Sequence, residues 1–99
     1  METKVKAIHF VASQQLDDFV QKKVSKLNHF FEGIISAEVV LKVEKPEAAQ
    51  NKNASIKLIV PNGELFAEKT ADTFEEAVDD CCSALEKQLA KHKEKFRKK

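Results

Sequence analysis

The sequence predicts an α+β fold in the order β-α-β-β-β-α, with a four-stranded sheet carrying two helices packed on one face. Three features of its 99 residues lead there. Apolar residues recur at helical spacing in two segments, one early in the chain and one near its end. Short runs of β-branched and alternating apolar residues lie before and between those segments. Each helical segment also opens on a residue suited to cap it. Every strand then has one apolar face and every helix one apolar stripe, and the economical solution buries both helices on the same side of the sheet.

The first strand is read from Val5 to Val11, where β-branched and aromatic residues mix. Ser13 is a suitable N-cap, and Asp17 and Asp18 follow near the positive end of the helix dipole. Leu16, Phe19, Val20, Val24, Leu27 and Phe31 build one face of a first helix over about Gln14 to Phe31. Gly33 supplies its left-handed stop. In the second strand Val39, Leu41 and Val43 point one way and Glu38, Lys42 and Glu44 the other. Residues 46–53, Pro46 to Asn53, read as a polar loop. Ile56, Leu58 and Val60 mark the inner face of a third strand that ends at Pro61. Asn62-Gly63 is a tight-hairpin signal, because both residues tolerate positive φ. A fourth strand over roughly Glu64 to Thr70 directs Leu65 and Ala67 inward. Thr73-Phe74-Glu75-Glu76 is a capping box, and Phe74, Ala77, Val78, Cys81, Leu85, Leu89 and Phe96 form the stripe of the last helix. A right-handed crossover through the first helix sets the first strand parallel to its neighbour, and the other three form an antiparallel meander.

A chain of 99 residues has apolar material for one core, so a single domain over 1–99 is expected. Hydrophobic residues make up 42% and charged residues 33%, a balance that folds. Charges interrupt the N-terminal stretch, leaving neither a signal-peptide core nor a spanning helix, and the expected location is cytoplasmic. Cys81 and Cys82 are adjacent and close no useful loop, so they read as reduced thiols rather than a disulfide framework.

The net charge of +1 hides an uneven distribution. From Lys87 to Lys99 seven basic residues face one acid, Glu94, a net of +6; the ten basic and fifteen acidic residues of positions 1–86 leave −5 there. Such a split points to a polyanionic partner at one end of the molecule. The last helix, Phe74 to Phe96, spans roughly 34 Å at about 1.5 Å per residue. A seven-residue strand spans about 23 Å, so the last two turns overhang the sheet, and they hold nearly all of the basic residues. Lys87, Lys91 and Lys95 stand four apart on one line, a spacing that costs a helix about 0.2–0.5 kcal/mol per like-charged pair. The row begins two turns before the helix end, where the dipole no longer accounts for it. A phosphate backbone turns that repulsion into attraction. The plain alternative is a solvated basic tail that frays over about 91–99. Lys22, Lys23 and Lys26 on the first helix extend the positive stripe if the helices lie side by side; alone they are a solvated face. His92 stands between Leu89 and Phe96 as a packed edge residue whose reference pKa of about 6.5 lets phosphate favour its charged form. His9 and His29 read as structural.

Catalysis is not expected. Cys81 and His92 lie eleven positions apart on one helix, roughly 16 Å, beyond hydrogen-bond reach. No Cys/His spacing matches a zinc site, and two glycines make no phosphate loop. No cofactor, metal or small-molecule substrate is implied.

Three segments resemble the ribosome hibernation promoting factor and ribosome-associated translation inhibitor family, also labelled sigma-54 modulation protein or S30EA, in its short form. Val39-Val40-Leu41-Lys42-Val43-Glu44-Lys45 is similar to the family's second strand. Leu85-Glu86-Lys87-Gln88-Leu89-Ala90-Lys91-His92-Lys93-Glu94-Lys95 is similar to its C-terminal helix, with the Gln-Leu-x-Lys-His-Lys core. Phe19-Val20 with Lys23, Lys26 and Leu27 resembles its first helix. The resemblance covers essentially the whole chain. It implies binding to 16S rRNA of the small ribosomal subunit, in the channel where mRNA and tRNA pass, and inactive ribosomes under stress or in stationary phase. It carries rRNA contacts onto Lys23, Lys26, Lys87, Lys91, His92, Lys93 and Lys95; Arg97, Lys98 and Lys99 extend the basic run without a matched motif. Ending at Lys99, the chain is expected to lack the further C-terminal domain of long-form members. Acidic Asp79, Asp80 and Glu86 keep the N-terminal half of the last helix away from phosphate. The protein is expected to be monomeric off the ribosome and to have no membrane partner. Two other readings stand beside this one: a general double-stranded RNA-binding protein, and a protein-interaction module whose basic helix meets an acidic partner.

Overall fold

Alternation decides which side of each strand is buried. The computed structural model describes residues 2–8, 10–30, 33–44, 50–61 and 63–97, the side chains of Phe30 and of residues 92–97 excepted. The elements are β1 (Glu2–Ile8), α1 (Gln14–Phe30), β2 (Ser36–Val43), β3 (Lys52–Val60), β4 (Gly63–Ala71) and α2 (Phe74–Arg97). One sheet in the order β1-β2-β3-β4 joins them, β1 parallel to β2 and the remaining pairs antiparallel. Its buried side comprises Ala37, Val39 and Leu41 of β2, Ala54, Ile56, Leu58 and Val60 of β3, and Ala67 and Ala71 of β4. Both helices cover that side and meet it with Leu16, Val20, Val24 and Leu27 of α1 and with Ala77, Val78, Cys81, Leu85 and Leu89 of α2. Fully burying a Val or Leu among these is worth about 1.5–3 kcal/mol. The helix-free side is polar apart from residues such as Phe66, which is 54% exposed.

Both expected caps form. The Leu16 amide donates to Ser13 Oγ at 3.1 Å, and the Glu76 amide donates to Thr73 Oγ1 at 3.1 Å. Each satisfies an orphan donor of a first helical turn.

Several boundaries move. The first strand runs from Glu2 to Ile8 rather than from Val5 to Val11. Parallel pairing of Val5 with Val39 brings Glu2, Thr3 and Lys4 opposite Ser36, Ala37 and Glu38. Phe10 leaves the sheet to stack on Phe74 with ring centroids 4.7 Å apart, and Val11 is 94% exposed. The third strand starts at Lys52, inside the expected loop; Asn53 is buried, and its amide donates to Thr70 Oγ1 at 3.2 Å across the ladder. That partner offsets the burial of a residue otherwise disfavoured in strands. The hairpin differs in one respect: Gly63 pairs with Val60 and so opens the fourth strand, and Pro61 begins the turn. Asn62 itself, the helix end expected at Phe31, the first half of the expected polar loop (46–49) and His9 lie outside the described residues.

Candidate nucleic-acid interface

The strand directions fix where the charge collects. β1 and β4 point the same way, and each is followed by a helix that returns along the sheet, so α1 and α2 run side by side in the same sense. Their C-terminal ends, which carry the negative end of the helix dipole, therefore lie at one end of the molecule. Lys26 and His29 of α1 and Lys87 and Lys91 of α2 are exposed toward it. The overhang follows from two contacts. Cys81 Sγ lies 3.2 Å from the Ala54 carbonyl and 3.7 Å from that of Ala67, in mid-strand. From there β4 has only four residues left before Gly63, roughly 14 Å, whereas α2 has sixteen before Arg97, roughly 24 Å. Among the described side chains Leu89 is the last of α2 in the core, and Gln88 Nε2 donates to the Phe66 carbonyl at 2.9 Å beside it.

The lysines of the two helices do not merge into one stripe along the whole seam. Lys23 Nζ lies 2.9 Å from Asp79 Oδ1 and 5.8 Å from the centroid of Phe19. Hydrogen bonding to Asp79, then the charges of Asp79 and of nearby groups, raise the Lys23 pKa from its ordinary 10.5. Its charge is matched where it stands. Lys87 lies on the other flank of α2, lining a groove with Lys69, Asp80, Ser83 and Ala84. Lys91 follows one turn later on that flank, and position 95 continues the row by helical repeat. Positions 93 and 97 instead continue the line of Asp79 and Glu86 past Phe30, because from the Lys23–Asp79 contact α1 has seven residues left and α2 has eighteen. The backbone of 92–97 is helical; the side chains of His92, Lys93, Lys95 and Arg97 lie outside the described residues, as do residues 98–99. Lys69, which the strand pattern gave no reason to single out, stands beside Lys87 only because the fold brings β4 under α2.

Burial pushes the Cys81 thiol up to about 11 and the Cys82 thiol up to about 12, which leaves both protonated and poorly nucleophilic. Among the described residues no group of three or more His, Cys, Asp or Glu side chains is placed to hold a metal, and no helix is long and apolar enough to cross a membrane.

Fold and charge together define a class: an α+β domain, two helices on one sheet face, with Lys26, His29, Lys87 and Lys91 exposed in their C-terminal halves. The family model described as "Sigma 54 modulation protein / S30EA ribosomal protein" matches residues 3–97. The chain belongs to that family. It is 32% identical to a ribosome hibernation promoting factor of Pseudomonas putida over 95 residues, covering 96% of this chain and 89% of that one. It is 39% identical to the factor of the same name from Klebsiella oxytoca over 80 residues, 81% of this chain and 80% of the other. Among solved structures, the N-terminal domain of Thermus thermophilus Protein Y superposes with a TM-score of 0.80 at 25% identity, over 93% of this chain and 99% of that domain. A ribosomal subunit interface protein from Coxiella burnetii shares the fold with a TM-score of 0.84 at 20% identity, over 94% and 98% of the two chains.

Proposed function

We propose that this chain is a ribosome hibernation factor that inserts its basic helical end among rRNA phosphates of the small ribosomal subunit, in the channel used by mRNA and tRNA. It acts by occupancy, without turnover, and holds ribosomes inactive during starvation or stationary phase. The observation that carries the reading is the row that starts at Lys87 and Lys91. Both are exposed, neither is ion-paired among the described residues, and the helix bearing them runs about 10 Å past the sheet. A cation row that its own surface leaves unmatched is suited to a phosphate backbone. Lys26 on α1 and positions 92, 93, 95 and 97 of α2 supply the rest of the contact surface. Lys23 joins it only by exchanging Asp79 for a phosphate. A ribosomal partner places the protein in the cytoplasm, where its two free cysteines stay reduced, and off the ribosome it is a monomer and a single ribosome-binding domain.

Sedimentation of ribosomes with added protein tests the reading. The wild-type chain is expected in the small-subunit and ribosome fractions, and Lys91→Glu combined with Lys95→Glu in the free fraction with its fold intact. Full cosedimentation of the double variant at moderate salt overturns the helix site. Loss of wild-type binding to excess unrelated duplex RNA favours a general RNA-binding protein instead.

A further inference from the structure

Strand β4 places Leu65, Ala67, Lys69 and Ala71 on the side of the sheet that the helices cover. Ala67 and Ala71 are buried there and Leu65 is half-buried, whereas Lys69 is exposed although its cross-strand partner Ala54 is fully buried. An edge-strand lysine commonly discourages association between sheets, but that role asks nothing of α2. Here Lys69 shares a groove with Asp80, Ser83, Ala84 and Lys87 of α2. Two exposed ammonium groups thus line one shallow groove, and among the described residues neither is ion-paired. The groove leads to exposed Lys91, one turn further along the same flank.

We propose that Lys69 and Lys87 hold one RNA backbone phosphate between them, with the Ser83 hydroxyl as a further donor, so that the strand of RNA bound by α2 also runs along the β4 edge. The inference rests on the function proposed above and extends it to a residue outside both helices. An anion between the two lysines converts their repulsion into two charge-assisted contacts. Asp80 lines the same groove, and its carboxylate repels phosphate. The phosphate therefore sits toward Ser83 and Lys87, and Asp80 weakens the site.

Binding of the full chain to purified bacterial small subunits across a salt series tests this. Lys69→Ala is expected to weaken binding and to reduce the magnitude of the log–log salt slope by about 0.7–0.9, the signature of one lost phosphate contact. Asp80→Asn is expected to tighten binding. The variant pair Lys91→Glu/Lys95→Glu is measured beside them. If that pair abolishes binding while Lys69→Ala keeps the wild-type affinity and slope, the groove is refuted and the helix site survives. If Lys69→Ala weakens binding with no change of slope, the groove meets a ribosomal protein rather than phosphate, and the proposal fails. If neither change matters, the groove falls together with the function it rests on. Should Lys69→Ala melt early, Asp80→Asn decides alone, and no gain in affinity counts against the site.

Discussion

Lys23 donates to Asp79 at 2.9 Å, so its charge is met before any RNA arrives. Removing Lys23 alone would expose Asp79 to phosphate and weaken binding for an indirect reason. The informative change is Lys23→Ala with Asp79→Ala, which deletes a locally neutral pair. Ribosome affinity within about twofold of wild type is expected, since an exposed pair of this kind contributes little; a large loss measured by sedimentation would make Lys23 a direct contact. Because the Lys23 pKa is raised, whatever stability the pair lends is complete below pH 10.5 and is lost only as the pH climbs through the folded value. The two cysteines behave as buried acids. Their folded pKa values, about 11 and about 12, lie above the ordinary 9.0. The unfolded chain therefore binds fewer protons than the folded one above pH 9, and stability falls as the pH rises from there. Thiol-labelling of the native protein at pH 8 should be slow and should accelerate on adding denaturant; rapid labelling of the native state would contradict the burial. None of these pairings was legible in the sequence. Lys23 and Asp79 are 56 positions apart, and only docking of α1 on α2 makes them neighbours.

Elements were legible where the code is local. Helical periodicity and the two caps fixed both helix starts, at Gln14 and Phe74, because capping and apolar spacing are decided within one or two turns. Strand ends moved because the partner strand sets them: β1 extends back to Glu2 to match β2, and Asn53 enters β3 because Thr70 is there to accept from it. The caps are testable singly. Thr73→Ala should lower stability in urea unfolding by about 1 kcal/mol; no change would mean that the Thr73 Oγ1 contact at 3.1 Å is not a working cap. Leu89 is fully buried and, among the described side chains, is the last core residue of α2. Leu89→Ala should cost about 2–5 kcal/mol and should also loosen the overhanging turns from the sheet.

For the molecule as a whole, the uneven charge is readable from composition, but its distribution in space is not. The sequence places a positive end on the last helix. It does not reveal that α1 and α2 run side by side in the same sense, that an acid of α2 meets Lys23 at their seam, or that β4 adds Lys69 to the flank of Lys87. The central claim is that this end neutralises RNA phosphates. The most direct measurement is the affinity of the wild-type chain for small ribosomal subunits as a function of monovalent salt. Engagement of about five phosphates predicts a log–log slope of roughly −3.5 to −4.5. A slope near zero would contradict it and assign the contact to an apolar protein surface.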